Sequence, residues 1–165
     1  MIVFDSSTLI LLAKTELIDA IVDGYKGAIV ATATVMAEIT AKESIDGLLV
    51  QKLVDAGKIK VKITTGNEAA KLMSDFAMDK GEAETIATAL KNPGSLVATD
   101  DRNAIKACKL LGLPFATAIG FLLTLQKKKL LGKEQALMLL EKLSRFGRYR
   151  FEIVENARNK IIGGL

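Results

Sequence analysis

Five acidic side chains occupy informative positions in a chain that contains no histidine: Asp5, Glu38, Glu82, Asp100 and Asp101. Asp5 and the Asp100-Asp101 pair each follow a short apolar run directly, whereas Glu38 and Glu82 fall inside helical patterns. Without histidine there is no His-based triad, no imidazole-ligated zinc and no histidine acid–base chemistry. Catalysis would have to draw on carboxylates, hydroxyls, lysine or arginine. Carboxylates gathered without counter-charge repel one another, and burial makes their ionisation costlier. A hard divalent cation, Mg²⁺ or Mn²⁺, relieves both problems through oxygen ligation. In phosphodiester hydrolysis such an ion polarises a phosphoryl oxygen, activates water and stabilises the leaving oxygen. The hydroxyls of Ser6, Ser7 and Thr99 stand where they could orient carboxylates or water from behind. Helix capping would account for any one of the aspartates, and helix-dipole stabilisation of about 0.3–1 kcal/mol for Glu82. Neither accounts well for the whole set.

These acids need elements to bring them together. The run Ile2-Val3-Phe4 reads as a strand ending at Asp5, and Ser6 or Ser7 then caps a helix with Leu9, Ile10, Leu12, Leu17, Ile18 and Ile21 on its apolar face. Residues 28–31 form a second strand, and Thr32 or Thr34 opens a helix carrying Glu38. A helix through Leu48, Leu49, Leu53 and Val54 leads to a strand over 59–63. The next helix starts at Thr65-Gly66-Asn67; a break at Asp79-Lys80-Gly81 leads into GEAETIATAL, which starts with Glu82 directly after Gly81 and is stopped by Asn92-Pro93-Gly94. Residues 96–98 are a fourth strand, followed by Thr99-Asp100-Asp101 and the helix RNAIKACKLLG; residues 113–116 make a fifth, and helices centred on 119–130, 133–145 and 154–162 finish the chain. Short strands separated by helices imply crossover units and a parallel sheet. Ligands of such sheets gather beyond the carboxyl ends of the strands, where strand order reverses. If the first and fourth strands are neighbours there, Asp5 and the 100–101 pair meet.

Length and composition agree with one domain over residues 1–165, its segment 119–165 a set of C-terminal helices appended to the core. The single cysteine, Cys108, has no disulfide partner and reads as a packing residue, so a reducing, cytoplasmic setting is the default. The opening MIVFDSSTLILLAK is not a signal peptide, and no apolar stretch is long enough for a membrane span. Charge is uneven: residues 1–120 carry 13 basic and 15 acidic side chains, residues 121–165 carry 10 and 4. A chain that segregates acids from bases could ligate a cation and still attract a polyanion. Lys14, Arg102 and the run Lys127-Lys128-Lys129 are candidate phosphate contacts on RNA.

Taken together, Asp5 in IVFDSSTLI, Glu38 in VMAEI, Glu82 in GEAETIATA and the acids of VATDDRNA resemble the PIN-domain pattern, in the branch near VapC-type toxins. Asp101 fills the T-x-D position, with Asp100 as an adjacent extra acid. The resemblance implies a three-layer α/β/α sandwich around a mostly parallel sheet of about five strands. It also implies a Mg²⁺- or Mn²⁺-dependent endoribonuclease, often homodimeric, in many members the toxin of a toxin–antitoxin pair. The third acid is Glu82 where many relatives have Asp, Glu84 is a rival for its place, and residues 102–104 read Arg-Asn-Ala where the toxins have an acid and Phe. A PIN fold with little or no activity, serving RNA binding or assembly, is the alternative. A flavodoxin-like nucleotide binder fits less well, because no G-x-G-x-x-G or G-K-[ST] loop follows the first strand. A Mg²⁺-dependent phosphatase would also place acids after strands.

Overall fold

Strand β1 (Ile2–Phe4) has three residues, all buried, and they alternate between two separate cores. Ile2 and Phe4 face the first and Val3 the second. β2 (Ile29–Thr32) and β4 (Leu96–Ala98) repeat the pattern, with Ile29, Ala31 and Ala98 on the first side and Val30 and Val97 on the other. Strands covered on both faces must be apolar at successive positions, which is why no polar–apolar alternation shows in them. The computed structural model describes residues 1–41 and 43–163. With β3 (Lys60–Lys62) and β5 (Phe115–Ala116), the described residues form one sheet in the order β3-β2-β1-β4-β5, every pair parallel. The chain moves outward through β2 and β3 and returns to place β4 against β1. Strand order therefore reverses between β1 and β4, with Phe4 opposite Ala98.

Helices on both faces make a three-layer α/β/α sandwich. The first core receives Leu9 and Leu12 of α1 (Ser6–Lys14), Leu17 of α2 (Leu17–Gly24), Ile39 of α3 (Ala33–Thr40) and Val50 of α4 (Ile45–Asp55). Leu122 of α8 (Ala118–Lys127), Leu140 of α9 (Lys133–Phe146) and Ile161 of α10 (Phe151–Gly163) join the same cluster. The second core is built from α5 (Glu68–Phe76), α6 (Lys80–Leu90) and α7 (Arg102–Leu110), through Leu72, Ile86 and Cys108. Cys108 is wholly buried, and desolvation pushes its thiol up to about 11, so it acts as a small core side chain.

Two local expectations change. The first helix was expected to run on through Ile21, but the chain breaks it at Thr15-Glu16. Glu16 takes a left-handed φ of 61°, and the Thr15 hydroxyl donates to the Leu11 and Leu12 carbonyls at the end of the interrupted helix. Leu17 and Ile18 still reach the core from the new helix. The helix expected to begin at Glu82 starts two residues earlier: Asp79 caps it, and Glu82 is its third residue.

Because Leu140 is fully buried in the cluster that also holds Phe4, Leu140→Ala should lower stability by about 2–5 kcal/mol. Urea unfolding should remain a single transition. A separate early transition confined to the C-terminal helices would show that they are not part of the cooperative unit.

Candidate active site

The reversal of strand order puts the ends of β1 and β4 side by side, and backbone bonds continue the pairing past both strands. Asp5 N–H donates to the Ala98 carbonyl at 3.1 Å, and Thr99 N–H to Ala116 at 3.1 Å. Asp5 and Asp101 each turn from strand into helix, and both are N-caps. Asp5 Oδ1 accepts from Thr8 N–H at 2.7 Å, while Asp101 Oδ1 accepts from Asn103 and Ala104 N–H at 2.7 and 2.9 Å. Capping consumes one oxygen of each carboxylate. Asp5 Oδ2 is buried and accepts no hydrogen bond, one of two such side-chain atoms among the described residues. A buried acceptor without a donor costs about 1–3 kcal/mol, more if charged. Desolvation accordingly pushes Asp5 up to about 6. The Thr99 hydroxyl, the Thr8 N–H and the Thr8 hydroxyl oppose that rise and Asp100 adds to it. The Thr99 hydroxyl is near enough to favour the anion without completing a hydrogen bond to Oδ2.

Helix α6 brings Glu82 alongside. Thr85 anchors its first turn, its hydroxyl donating to the Gly81 carbonyl at 2.8 Å and to Phe4, the residue before Asp5, at 3.3 Å. Asn103 Nδ2 donates 3.0 Å to the Ala77 carbonyl, tying the start of α7 to the turn that precedes α6. Asp79 and Glu82 cap each other reciprocally: Glu82 N–H donates to Asp79 Oδ1 at 2.8 Å and Asp79 N–H to Glu82 Oε2 at 3.1 Å. The capping account of Glu82 is therefore real, yet incomplete. Burial pushes this carboxyl up to about 7, and the negative charges of Asp101, Asp79 and Asp5 all raise it. Asp5, Glu82 and Asp101 thus share one electrostatic site.

Glu38 joins from α3. Its Oε2 accepts from the Ser6 hydroxyl at 2.6 Å, and its carboxylate lies over Gly81, where a Cβ would come within 2.6 Å of Oε1. A Cβ at that position would displace the Glu38 carboxylate from where it lies. Ser7 donates to Asp5 Oδ1 at 3.3 Å, and the Thr99 hydroxyl accepts from Asp101 N–H at 3.2 Å.

Asp100 turns another way. Its Oδ1 accepts from the Tyr149 hydroxyl at 2.6 Å, and its Oδ2 accepts from Ala118 N–H at 3.0 Å and the Thr8 hydroxyl at 3.3 Å. Burial raises its pKa against these three bonds. With both oxygens occupied, it ties α1, α8 and the segment after α9 to the end of β4. Glu84, the rival acid, is buried on the far side of α6 and pairs with Lys80 at 3.8 Å.

The basic candidates scatter. Arg102 is exposed beside Asp101 at the site's rim. Lys14 closes the other end of α1 and pairs with Asp46 at 3.7 Å. Lys128 lines a cavity with Ile2 and Leu96, the first residues of β1 and β4, so Lys127–Lys129 stand at the opposite end of the sheet from the carboxylates. Lys129 takes a left-handed φ of 58° in the turn after α8. Local charge density in the sequence carried no information about which end of a helix it would occupy. Thr8, Asp79, Gly81 and Tyr149 were not singled out in sequence; only Asp79, three residues before Glu82, left a local signal.

A family model described as a PIN domain matches residues 1–161, and the chain belongs to that family. Its five-stranded parallel sandwich is the nuclease-type fold of PIN domains. No curated protein and no solved structure matches the chain. Among the described residues no three Asp, Glu or Cys side chains stand close enough to form a ready ligand set, and no helix is long and apolar enough to cross a membrane. The expected convergence of four acids into one closed set is thus looser than the sequence suggested. Mutual repulsion holds uncompensated carboxylates apart, and magnesium needs only one or two of them directly, filling its remaining positions with water.

Raised carboxyl pKa values mean that the folded state binds protons more tightly than the unfolded chain. The stability from Asp5 is fully present below about pH 4 and is lost as pH rises through about 6; Glu82 extends the loss through about 7. Unfolding free energies from urea titrations in EDTA should therefore fall by about 1–3 kcal/mol between pH 5 and pH 8. Asp5→Asn should remove the Asp5 share of that slope and leave the Glu82 share. A midpoint that rises with pH would contradict the assignment.

Proposed function

We propose that the protein is a divalent-metal-dependent endoribonuclease that hydrolyses RNA phosphodiester bonds at the mouth between β1 and β4. The observation that carries this reading is the unpartnered, buried Oδ2 of Asp5, beside Glu82 and Asp101 at the reversal of strand order. An anionic oxygen stripped of water and given no donor suits a hard cation. The donor set is all oxygen, as Mg²⁺ or Mn²⁺ prefers. Asp5 and Asp101 would hold the ion through the oxygens that capping leaves free, with Glu82 and Glu38 completing the anionic wall. When bound, the ion supplies Lewis-acid polarisation of the phosphate and lowers the pKa of attacking water.

The chain's own residues do the rest. The helix caps hold Oδ1 of Asp5 and of Asp101 and leave the second oxygen of each uncapped. Ser6 holds Glu38 over Gly81. Glu82, beside Asp5 and Asp101, is the group proposed to take a proton from attacking water. Asp100 serves as a buttress in this account, because its three hydrogen bonds leave no oxygen free. A phosphatase would use similar acids, and turnover of RNA against small phosphomonoesters separates the two. The toxin role and a homodimer rest on the motif likeness to VapC-type proteins alone and form no part of the mechanism.

Asparagine caps helices as well as aspartate does, so Asp5→Asn and Asp101→Asn should fold normally. Each should reduce Mn²⁺-stimulated cleavage of a single-stranded RNA by at least about 100-fold. Small phosphomonoesters should not be turned over by the unmodified protein. Full cleavage by both variants, or none by the unmodified protein with either metal, would overturn the reading.

A further inference from the structure

The surplus of positive charge in residues 121–165 separates into two groups in space. Helix α8 starts at Ala118, which donates to Asp100, and runs away from the carboxylates for ten residues, about 15 Å, to Lys127–Lys129. Helix α9 runs back over 14 residues. Its end therefore returns to the carboxyl edge of the sheet, where Gly147–Arg150 link it to α10. This return loop reads Gly-Arg-Tyr-Arg.

Tyr149 fixes the loop. Its hydroxyl donates to Asp100 Oδ1 at 2.6 Å, 49 residues distant in sequence and next to Asp101. Gly147 makes the fold-back feasible, since a Cβ there would collide with the Tyr149 ring and approach the Leu143 carbonyl within 2.8 Å. Half-buried Tyr149 is flanked by exposed Arg148 and Arg150. Their Cα atoms lie ~3.8 Å along the chain from that of Tyr149. Six other cations, Lys14, Lys58, Lys80, Lys91, Lys142 and Arg158, have acidic partners. Among the described residues, Arg148 and Arg150 have none, a state they share with most of the other lysines and arginines.

We infer that Gly147–Arg150 is the grip that holds the RNA phosphate backbone at the carboxylate mouth, with Arg148 and Arg150 as phosphate contacts and Tyr149 as the residue that positions them. The inference rests on the nuclease reading and supplies what its acidic site lacks. A polyanion is repelled by Asp5, Glu82 and Asp101 unless fixed cations beside them hold it. Arginine's planar fork matches phosphate oxygens in pairs. The tether to Asp100 keeps the loop that carries both forks at the carboxyl edge of the sheet, without using either in an internal ion pair. Lys127–Lys129, denser in charge, are at the wrong end of the sheet.

The test uses the full chain and a fluorescent single-stranded RNA oligonucleotide. Anisotropy in EDTA, over a range of salt, reads binding; Mn²⁺-stimulated cleavage reads turnover. Arg148→Ala/Arg150→Ala should bind at least about tenfold more weakly at low salt. Its salt slope should shrink by about 1.4, the loss of two single-strand phosphate contacts. The triple variant Lys127→Ala/Lys128→Ala/Lys129→Ala should leave KM within about twofold. Tyr149→Phe should raise KM several-fold while kcat changes by less than about twofold, a split that general destabilisation would not produce. Thermal midpoints of the arginine variant should match the parent, because both side chains are exposed.

If the parent cleaves RNA and the arginine variant binds and cleaves equally well, the grip is overturned and the nuclease reading stands. If the parent binds without cleaving and the arginine variant binds weakly, the grip stands and the nuclease reading falls. Absence of both binding and cleavage in the parent overturns both, and selective capture of an acidic peptide through the two arginines would replace RNA as the occupant.

Discussion

A buried carboxylate oxygen with nothing to bond to is costly, and this fold places one at its centre. Asp5 follows the middle strand of the sheet, with β2 on one side and β4 on the other. Its Oδ1 starts α1, while its Oδ2 remains in a dry site without a donor. Much of the surrounding structure keeps that arrangement in place. Thr8 binds both Asp5 and Asp100, Thr85 hooks α6 onto the last residue of β1, and Asn103 joins α7 to the turn before α6. Proteins retain such costs where function requires them, because packing or capping alone would be served by a neutral side chain.

The two cores give the site its stiffness. α6 carries Ala83, Ala87 and Ala89 fully buried, so the helix lies close to the sheet and its first turn reaches the mouth. Gly81 continues the same close packing, leaving room for the Glu38 carboxylate from α3. Acids from α3, α6 and the ends of β1 and β4 are therefore held by rigid elements rather than by loops. Rigid placement matters more for metal and phosphate chemistry than for charge attraction alone.

How much of this was legible in the sequence depended on range. The strands preceding Asp5 and Thr99 were readable because short apolar runs ended in residues that cap helices. Crossover topology implied a parallel sheet but left the pairing of β1 with β4 as a condition, which the strand order meets. Glu38 and Glu82 were legible through their motif context, although the start of α6 was set by Asp79, whose capping box overrode the glycine as a boundary. The break at Glu16 was hidden because Leu17 and Ile18 preserve an apolar pattern across it. Asp100 has a partner that nothing local announced, Tyr149, 49 residues on. The position of the lysine run at 127–129 was hidden for the same reason: a helix about 15 Å long decides which end of the sheet a charge reaches.

The central claim is that Asp5 Oδ2, with Glu82 and Asp101 beside it, exists to hold a cation. A crystal of the full chain grown with Mn²⁺ and measured at the manganese absorption edge tests this most directly. The account predicts an anomalous peak within about 2.0–2.3 Å of Asp5 Oδ2, with Asp101 or Glu82 as a direct or water-mediated partner. A manganese-saturated crystal with no peak at that mouth, and with Asp5 Oδ2 instead bonded to a protein donor, would contradict it.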